Sequence, residues 1–187
     1  MDETEVARAV YEFLLDCNRV ILLCADNEEI ERVGLQLKRC LSQFHTPLTP
    51  RPFKANSLPA LRNLALVKDM SIAKRFREFA HYLPWDFSPR TSDEGAEIAV
   101  CDFSALFDFG ALKVGLIYVD SHYEYPLHQH DPSELYFLIS GTAKWRYGDG
   151  IDHESVTAGN VLHNRPNDWH GVIAGHTPVL ALYVQWM

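Results

Sequence analysis

The stretch from Tyr125 to Gly141, reading YPLHQHDPSELYFLISG, constrains this chain more than any other part of its sequence. His128 and His130 are two residues apart, so in an extended strand both imidazoles point to the same face. An Asp-Pro pair then interrupts the strand, and Glu134 follows four residues after His130. Two imidazoles and one carboxylate from neighbouring strands suit a divalent transition metal that keeps open positions for water or substrate.

An H-x-H pair on its own is more often two solvent-exposed histidines than part of a metal site. The carboxylate of Glu134 and a possible fourth ligand downstream, His170, favour the metal site here. His163 lies seven residues before His170 and competes with it for that role. The spacing alone leaves the choice between these two histidines open.

The length and charge of the chain limit its function. With 187 residues, a single domain is expected, and 47% apolar residues are enough for a hydrophobic core. A net charge of -8 argues against nucleic acid as a partner, and no run of Lys or Arg indicates a membrane surface. The apolar run over 20–25 is too short for a membrane span or a signal segment. We therefore expect a cytoplasmic protein without nucleic-acid or membrane partners.

The cysteine pattern indicates a reducing compartment. Cys17, Cys24, Cys40 and Cys101 form no C-x-x-C motif and no dense disulfide framework. The first three fall on the apolar stripes of predicted helices, where buried thiols are expected.

The first part of the chain reads as helical. Apolar residues spaced by threes and fours predict a helix over 3–24, with Asp2 and Glu5 as a capping box. Asp26 and Glu29 repeat that pattern before a second helix that extends to about residue 44.

Prolines then exclude regular structure over much of 46–59. A third helical piece is predicted over 57–68. A fourth begins near Ser71, directs Ile72, Phe76, Phe79 and Tyr82 inward, and ends at Pro84.

From about residue 95 the pattern changes to short β-rich runs separated by turn residues, which is typical of a sandwich or jelly-roll barrel. We expect a mainly β protein, with a barrel over 93–187 and an N-terminal helical segment over 1–92 packed on its outside, forming one structural domain overall. The predicted strands are Glu97–Phe103, Leu112–Val119, Glu134–Ile139, Ala143–Tyr147, Glu154–Val156, Val161–Leu162, Gly171–Ile173 and Val179–Gln185.

A second motif runs from Gly159 to His170 and reads GNVLHNRPNDWH. Its proline turns the chain, and His170 begins the next strand, so that it could approach the first motif from a neighbouring strand. Together the two stretches resemble the two cupin motifs, although His122 stands where the first motif usually has Gly. This resemblance implies a cupin fold, a double-stranded β-helix or jelly-roll barrel, here with an N-terminal helical extension.

A closer resemblance is to the cupin-type dimethylsulfoniopropionate (DMSP) lyases, particularly the Q-type. It rests on Y-P-x-H-x-H-x3-E-x-Y, on L-I-S-G-T-A-x-W, on a later Pro-x3-His, and on the A-L-Y-V-Q-W ending. The resemblance implies cleavage of DMSP to dimethyl sulfide and acrylate at one divalent transition metal such as Fe, Zn or Mn. Carried over by position, it implies that His128, His130, Glu134 and His170 are the ligands, and that Tyr125 and Tyr136 occupy the positions of functional tyrosines.

The chemistry of β-elimination agrees with that assignment, because a weakly acidic proton beside a carboxylate must be removed. A divalent cation neutralises the carboxylate and stabilises the anion that develops. Free Tyr has a pKa of about 10, and an adjacent positive charge favours its phenolate. Tyr136, two residues after Glu134, is expected on the same strand face and is the favoured base, with Tyr125 as the other candidate.

The remaining substrate contacts are less defined by sequence. An aromatic face attracts a sulfonium cation, and the candidates are Tyr123, Trp145, Trp169, Tyr183 and Trp186. Lys144, Arg146 and Arg165 are candidates for binding a carboxylate. The expected partner is a small zwitterionic molecule, and the protein is expected to be a monomer or a homodimer.

Two other functions fit the same residues. One is another metal-dependent cupin enzyme, an isomerase or an oxygenase acting on a small polar substrate. The other is a cupin that binds a small molecule without catalysis, which the tyrosine pair beside the metal motif disfavours.

Overall fold

The structure, a computed structural model, describes residues 1–44, 63–87, 97–148 and 153–187. Within these ranges the helices are α1 (Glu3–Cys24), α2 (Glu28–Ser42) and α3 (Ser71–Phe79). The strands are β1 (Asp86–Phe87), β2 (Ile98–Asp102), β3 (Lys113–Val119), β4 (Glu124–His128), β5 (Ser133–Ser140), β6 (Thr142–Tyr147), β7 (His153–Thr157), β8 (Val161–Asn164), β9 (His170–Ala174) and β10 (Val179–Trp186).

The N-termini of α1 and α2 are both capped by side chains, but only one as predicted. Asp2 and Glu5 form the predicted capping box of α1. For α2 the prediction of Asp26 as the cap is wrong. The side chain of Asn27 instead accepts hydrogen bonds from the backbone N–H groups of Glu29 and Ile30, and Asp26 accepts one from the Asn27 amide. Asn is as good a cap as Asp, so the helix begins one residue later than the sequence suggests.

The strands form two antiparallel sheets. The first has the order β1-β2-β3-β10-β5-β8, and the second has the order β4-β9-β6-β7. Apolar side chains from both sheets, among them Ile117, Leu138, Trp145 and Val172, form one core cluster between them. This architecture confirms the predicted mainly β cupin fold.

The helices pack on the other face of the six-stranded sheet. Leu135 and Phe137 of β5 belong to a second core cluster that includes Phe13 of α1 and Leu37 of α2. β5 is buried along its whole length, so its alternate residues face the helices and the barrel interior. The predicted boundary at residues 92 and 93 lies outside the described residues, and the division of the chain into two segments stays a prediction.

Some local predictions need correction. Tyr82, predicted to point inward, is 36% exposed, because the chain tightens into a 3-10 turn over Ala80–Tyr82 after α3. Of the third predicted helix, 57–62 lies outside the described residues and Leu64–Leu66 is a single 3-10 turn. The prolines of 46–59 also lie outside the described residues.

The cysteine prediction holds only in part. Cys17 is buried, whereas Cys40 is half-buried and Cys24 is exposed at the last residue of α1. All four cysteines are free thiols. Cys24 lies at the helix end, where the apolar stripe no longer meets a neighbouring element, so helical periodicity alone overstated its burial.

Gly115 in β3 leaves room for the ring of Tyr183, its partner in register on β10. A Cβ at this position would collide with the Cys101 carbonyl oxygen and with the Tyr183 hydroxyl. We expect Gly115→Ala to lower the free energy of unfolding by about 1–3 kcal/mol, as overpacking does, measured by urea denaturation. Gly34→Ala in α2 is the control, since its close contacts would be with the flexible end of the Leu22 side chain and not with the backbone. Equal stabilities of the two variants would contradict this account.

Candidate metal centre

The predicted metal ligands meet at one end of the barrel, where several strands begin or end. His128 is the last residue of β4 and is paired in register with His170, the first residue of β9. Glu134 is the second residue of β5. His130 lies in the turn between β4 and β5, and not in the strand beside His128 as predicted. The turn brings its ring back towards the other side chains.

The three imidazoles form a compact cluster. One ring nitrogen from each of His128, His130 and His170 lies within 4.8 Å of those of the other two. The ring centroid of His170 is 4.3 Å from that of His128 and 5.0 Å from that of His130. At this spacing three nitrogens can share one metal ion.

Glu134 places its carboxylate against two of these rings. Its Oε2 lies 3.1 Å from Nε2 of His130 and 3.2 Å from Nε2 of His170. Its Oε1 accepts a hydrogen bond of 2.8 Å from Nε2 of Gln185 in β10. Both carboxylate oxygens therefore contact side chains of the cluster or of Gln185, and the Glu134 side chain is 2% exposed.

Backbone carbonyls fix the tautomer of each imidazole. Nδ1 of His128 lies 2.9 Å from the Pro126 oxygen, Nδ1 of His130 lies 2.9 Å from the Pro132 oxygen, and Nδ1 of His170 lies 2.8 Å from the Asp168 oxygen. A carbonyl can only accept, so each Nδ1 carries the proton, and in the neutral form of each ring the lone pair is on Nε2. This second interaction is typical of metal-binding histidines.

The donor set fits a divalent transition metal. Nε2 of His170 is buried and lacks a hydrogen bond of good geometry from any described residue, despite its closeness to Glu134. Three imidazole nitrogens with one carboxylate suit Zn, Fe or Mn, with positions left for other ligands.

The charges of the cluster are strongly coupled. Burial favours the neutral form of Glu134, but the adjacent imidazoles of His130 and His170 outweigh it and lower the pKa of the carboxyl to about 2. The hydrogen bond to Glu134 raises the pKa of His130, whereas burial lowers the pKa of His128. Glu134 is thus a carboxylate at neutral pH, as a metal ligand must be.

Both predicted tyrosines lie beside this cluster. Tyr136 is buried on the interior face of β5, with its ring 5.0 Å from Trp145 and 6.4 Å from His170. Burial, and then the negative charge of Glu134, raise the pKa of Tyr136 well above its usual value. Tyr125 is half-buried, and its ring centroid is 4.7 Å from that of His128. Their roles in catalysis stay predictions.

A cavity between the two sheets adjoins the cluster. It is lined by Tyr125, Tyr136, Trp145 and His170 together with apolar residues such as Ile117 and Val172. One predicted aromatic candidate, Trp145, therefore lies at the cavity.

The other predicted contact residues are placed in different surroundings. Tyr183 is buried in the interior core, Tyr123 is half-buried and Trp169 is 43% exposed. The ring of Trp186 stacks on His163 at 5.4 Å, and His163 Nε2 lies 4.0 Å from Glu29 of α2. His163 is thus directed to the helices and away from the imidazole cluster.

The basic candidates lie on the outside of the molecule. Lys144 and Arg165 are exposed, and Arg146 pairs with Glu124 at 3.5 Å.

Sequence reasoning missed Gln185 and Asn164. Both are paired in register with Glu134, Gln185 from β10 and Asn164 from β8. The register between strands distant in sequence is not encoded in a local motif, and no spacing pattern marks either residue.

Gln185 orients the Glu134 carboxylate, which leads to a testable prediction. We expect Gln185→Met to weaken metal affinity by about 10–100-fold, as the loss of a partner behind a metal ligand does. Competition titration of the metal-free protein against a chelator measures this affinity. Gln43→Met, at the exposed C-terminus of α2, is the matched control. An unchanged affinity of Gln185→Met would show that Glu134 is held by other contacts.

No α-helix in the described ranges has both the length and the apolar composition that crossing a bilayer requires.

Comparisons with known proteins agree on one family. The model of the dimethylsulfoniopropionate lyase family matches residues 35–181. Comparison with curated proteins gave no match.

Two solved structures share the fold over nearly the whole chain. A chain from the crystal structures of the DMSP lyases RdDddP and RnDddQII is 19% identical, with a TM-score of 0.71, over 97% of this chain and 94% of that one. The DMSP lyase DddQ from Ruegeria pomeroyi DSS-3 is 18% identical, with a TM-score of 0.64, over 92% of each chain. At these identities the likeness concerns the fold.

Proposed function

Since the chain belongs to the DMSP lyase family, we propose that it cleaves DMSP to dimethyl sulfide and acrylate by β-elimination. The observation that carries this proposal is the cluster of three imidazoles and one carboxylate beside the buried Tyr136. A lyase of this kind needs a base and a positive charge at the substrate carboxylate, and this end of the barrel offers residues for both.

The residues that would hold the metal are His128, His130, Glu134 and His170. When bound, a divalent ion such as Fe, Zn or Mn supplies positive charge that neutralises the substrate carboxylate and favours the phenolate form of a nearby tyrosine. The hydrogen bonds from the three Nδ1 atoms to backbone carbonyls orient the imidazoles, and the hydrogen bond from Gln185 orients the Glu134 carboxylate.

Tyr136 is the proposed base. Its phenolate oxygen takes the proton from the carbon next to the substrate carboxylate, and the C–H electron pair forms the new double bond. The C–S bond breaks, and its electron pair leaves with sulfur, so that neutral dimethyl sulfide and acrylate result. The burial of Tyr136 excludes water from the phenol. Tyr125, whose ring lies against that of His128, is the alternative base.

Aromatic rings at the cavity would receive the sulfonium end of the substrate. Trp145 and Tyr136 both line the cavity, and a cation near their faces is attracted by the ring quadrupole.

The test is release of dimethyl sulfide into the headspace by protein loaded with Fe, Zn or Mn and supplied with DMSP. His130→Ala is the control, because it removes one of the proposed metal ligands. His130 lies half-exposed in a turn. We expect sulfide from the wild type with at least one metal and none above background from the control. No sulfide at any loading would favour another metal-dependent cupin enzyme.

A further inference from the structure

Asn164, the last residue of β8, is a buried amide without a protein partner. Its side chain has no exposed surface, yet neither Oδ1 nor Nδ2 has a hydrogen-bond partner among the residues that the structure describes. A buried amide left unpaired is unfavourable by about 1–3 kcal/mol, so native proteins rarely keep one without a reason.

The register places this amide next to the candidate metal ligands. Asn164 is directly opposite Glu134 on β5, and Glu134 is directly opposite Gln185 on β10. Side chains directly opposite each other have Cβ atoms about 4.5–5.5 Å apart. His163 is directed to the helices, so Asn164, its neighbour in the strand, is directed into the barrel.

The surrounding groups leave Asn164 free to bind a ligand. Gln185 occupies one oxygen of Glu134, and the other faces His130 and His170. Nδ2 of Asn164 donates to neither oxygen of Glu134, so this uncharged donor is available to an anion.

We propose that Nδ2 of Asn164 donates a hydrogen bond to the carboxylate of the substrate and thereby fixes that end of the molecule beside the metal ligands. This inference rests on the proposed function and adds to it a residue that recognises the carboxylate. The ligand class is a short aliphatic monocarboxylate, of which the substrate and its acrylate product are both members.

A structural role and a binding role predict opposite effects of removing the amide. If the amide supported the fold, an apolar replacement of similar size would destabilise the protein. An unpaired buried amide predicts the reverse, since Asn164→Leu removes two unsatisfied polar atoms from the interior. Stability that is unchanged or higher, together with weaker carboxylate binding, is therefore the signature of a binding residue.

The experiment uses the metal-loaded protein, with propionate as the probe in isothermal titration calorimetry. We expect Asn164→Leu and Asn164→Ala to bind propionate about 10–100-fold more weakly than the wild type, as loss of a hydrogen bond to a charged group does. Metal content should stay at the wild-type level, and the urea midpoint of Asn164→Leu should not fall. Propionamide, which lacks the charge, is the control probe and should lose much less affinity.

The outcomes separate this inference from the proposed function. Unchanged propionate affinity in both variants would overturn it, and so would a lower urea midpoint of Asn164→Leu with unchanged affinity. Sulfide release by a wild type that does not bind propionate would also overturn it. Absence of sulfide release from the wild type counts against the proposed function itself, whatever the propionate affinities are.

Discussion

Replacing His170 by alanine is expected to remove the bound metal and to lower kcat/KM for DMSP by about 10³-fold or more. His170 is 1% exposed and lies between the other two imidazoles, with its Nε2 3.2 Å from Glu134. Its loss removes a ligand and leaves Glu134 without one of its two imidazole contacts. Metal catalysis contributes several kcal/mol to the stabilisation of developing charge, which corresponds to this factor. Metal content after dialysis and the rate of sulfide release measure the two effects.

His163→Ala is the matched control for this experiment. His163 lies seven residues before His170 in the sequence, but its ring stacks on Trp186 on the helix side of the sheet. We expect this variant to retain its metal and most of its activity, with only a modest loss of stability. The opposite result, metal retained by the His170 variant and lost by the His163 variant, would show that the ligand assignment is wrong.

Tyr136→Phe is expected to lower kcat by about 10²–10⁴-fold, the usual contribution of a positioned general base, with little change in metal content. The substitution removes one oxygen and keeps the ring that packs 5.0 Å from Trp145, so the fold should be preserved. Initial rates of sulfide release over a range of DMSP concentrations separate kcat from KM.

Tyr125→Phe, measured in parallel, decides between the two candidate bases. A larger loss of kcat in this variant than in Tyr136→Phe would transfer the role of base to Tyr125. Full activity in both variants would rule out a tyrosine base altogether. Tyr82→Phe, at an exposed position far from the motif in sequence, controls for nonspecific effects of removing a phenol.

Periodicity predicted most of the barrel but did not mark β4, and only the spacing of His128 and His130 indicated a strand there. The eight predicted runs correspond to β2, β3 and β5 to β10. β4 contains Pro126, which a central strand would exclude. The strand is nevertheless formed because β4 lies at the edge of its sheet, where the missing N–H of proline breaks no ladder bond.

The spacing of His128, His130 and Glu134 was enough to predict a metal-binding cluster, and a later motif pointed to His170. The register between strands could not be predicted from the sequence. It sets His170 opposite His128 and places Gln185 and Asn164 on either side of Glu134. A slip of one residue would turn each of these side chains to the other face.

His122 shows a departure from a motif that the structure explains. The cupin motif usually has Gly at this position, and His122 adopts a φ of 66°, in the left-handed region that Gly favours. The backbone conformation is therefore kept although the residue differs. A motif mismatch at a turn is weak evidence against a fold when the turn itself is preserved.

The carbonyl contacts at the three Nδ1 atoms bear on how the proposed site would bind a metal ion. Because these contacts to the backbone orient the rings, little ordering entropy would oppose the binding of an ion at the proposed site. Occupancy should then follow the supply of each ion in the surrounding medium, weighted by its intrinsic preference for nitrogen donors. Chelation followed by reconstitution should exchange one ion for another without a cycle of denaturation.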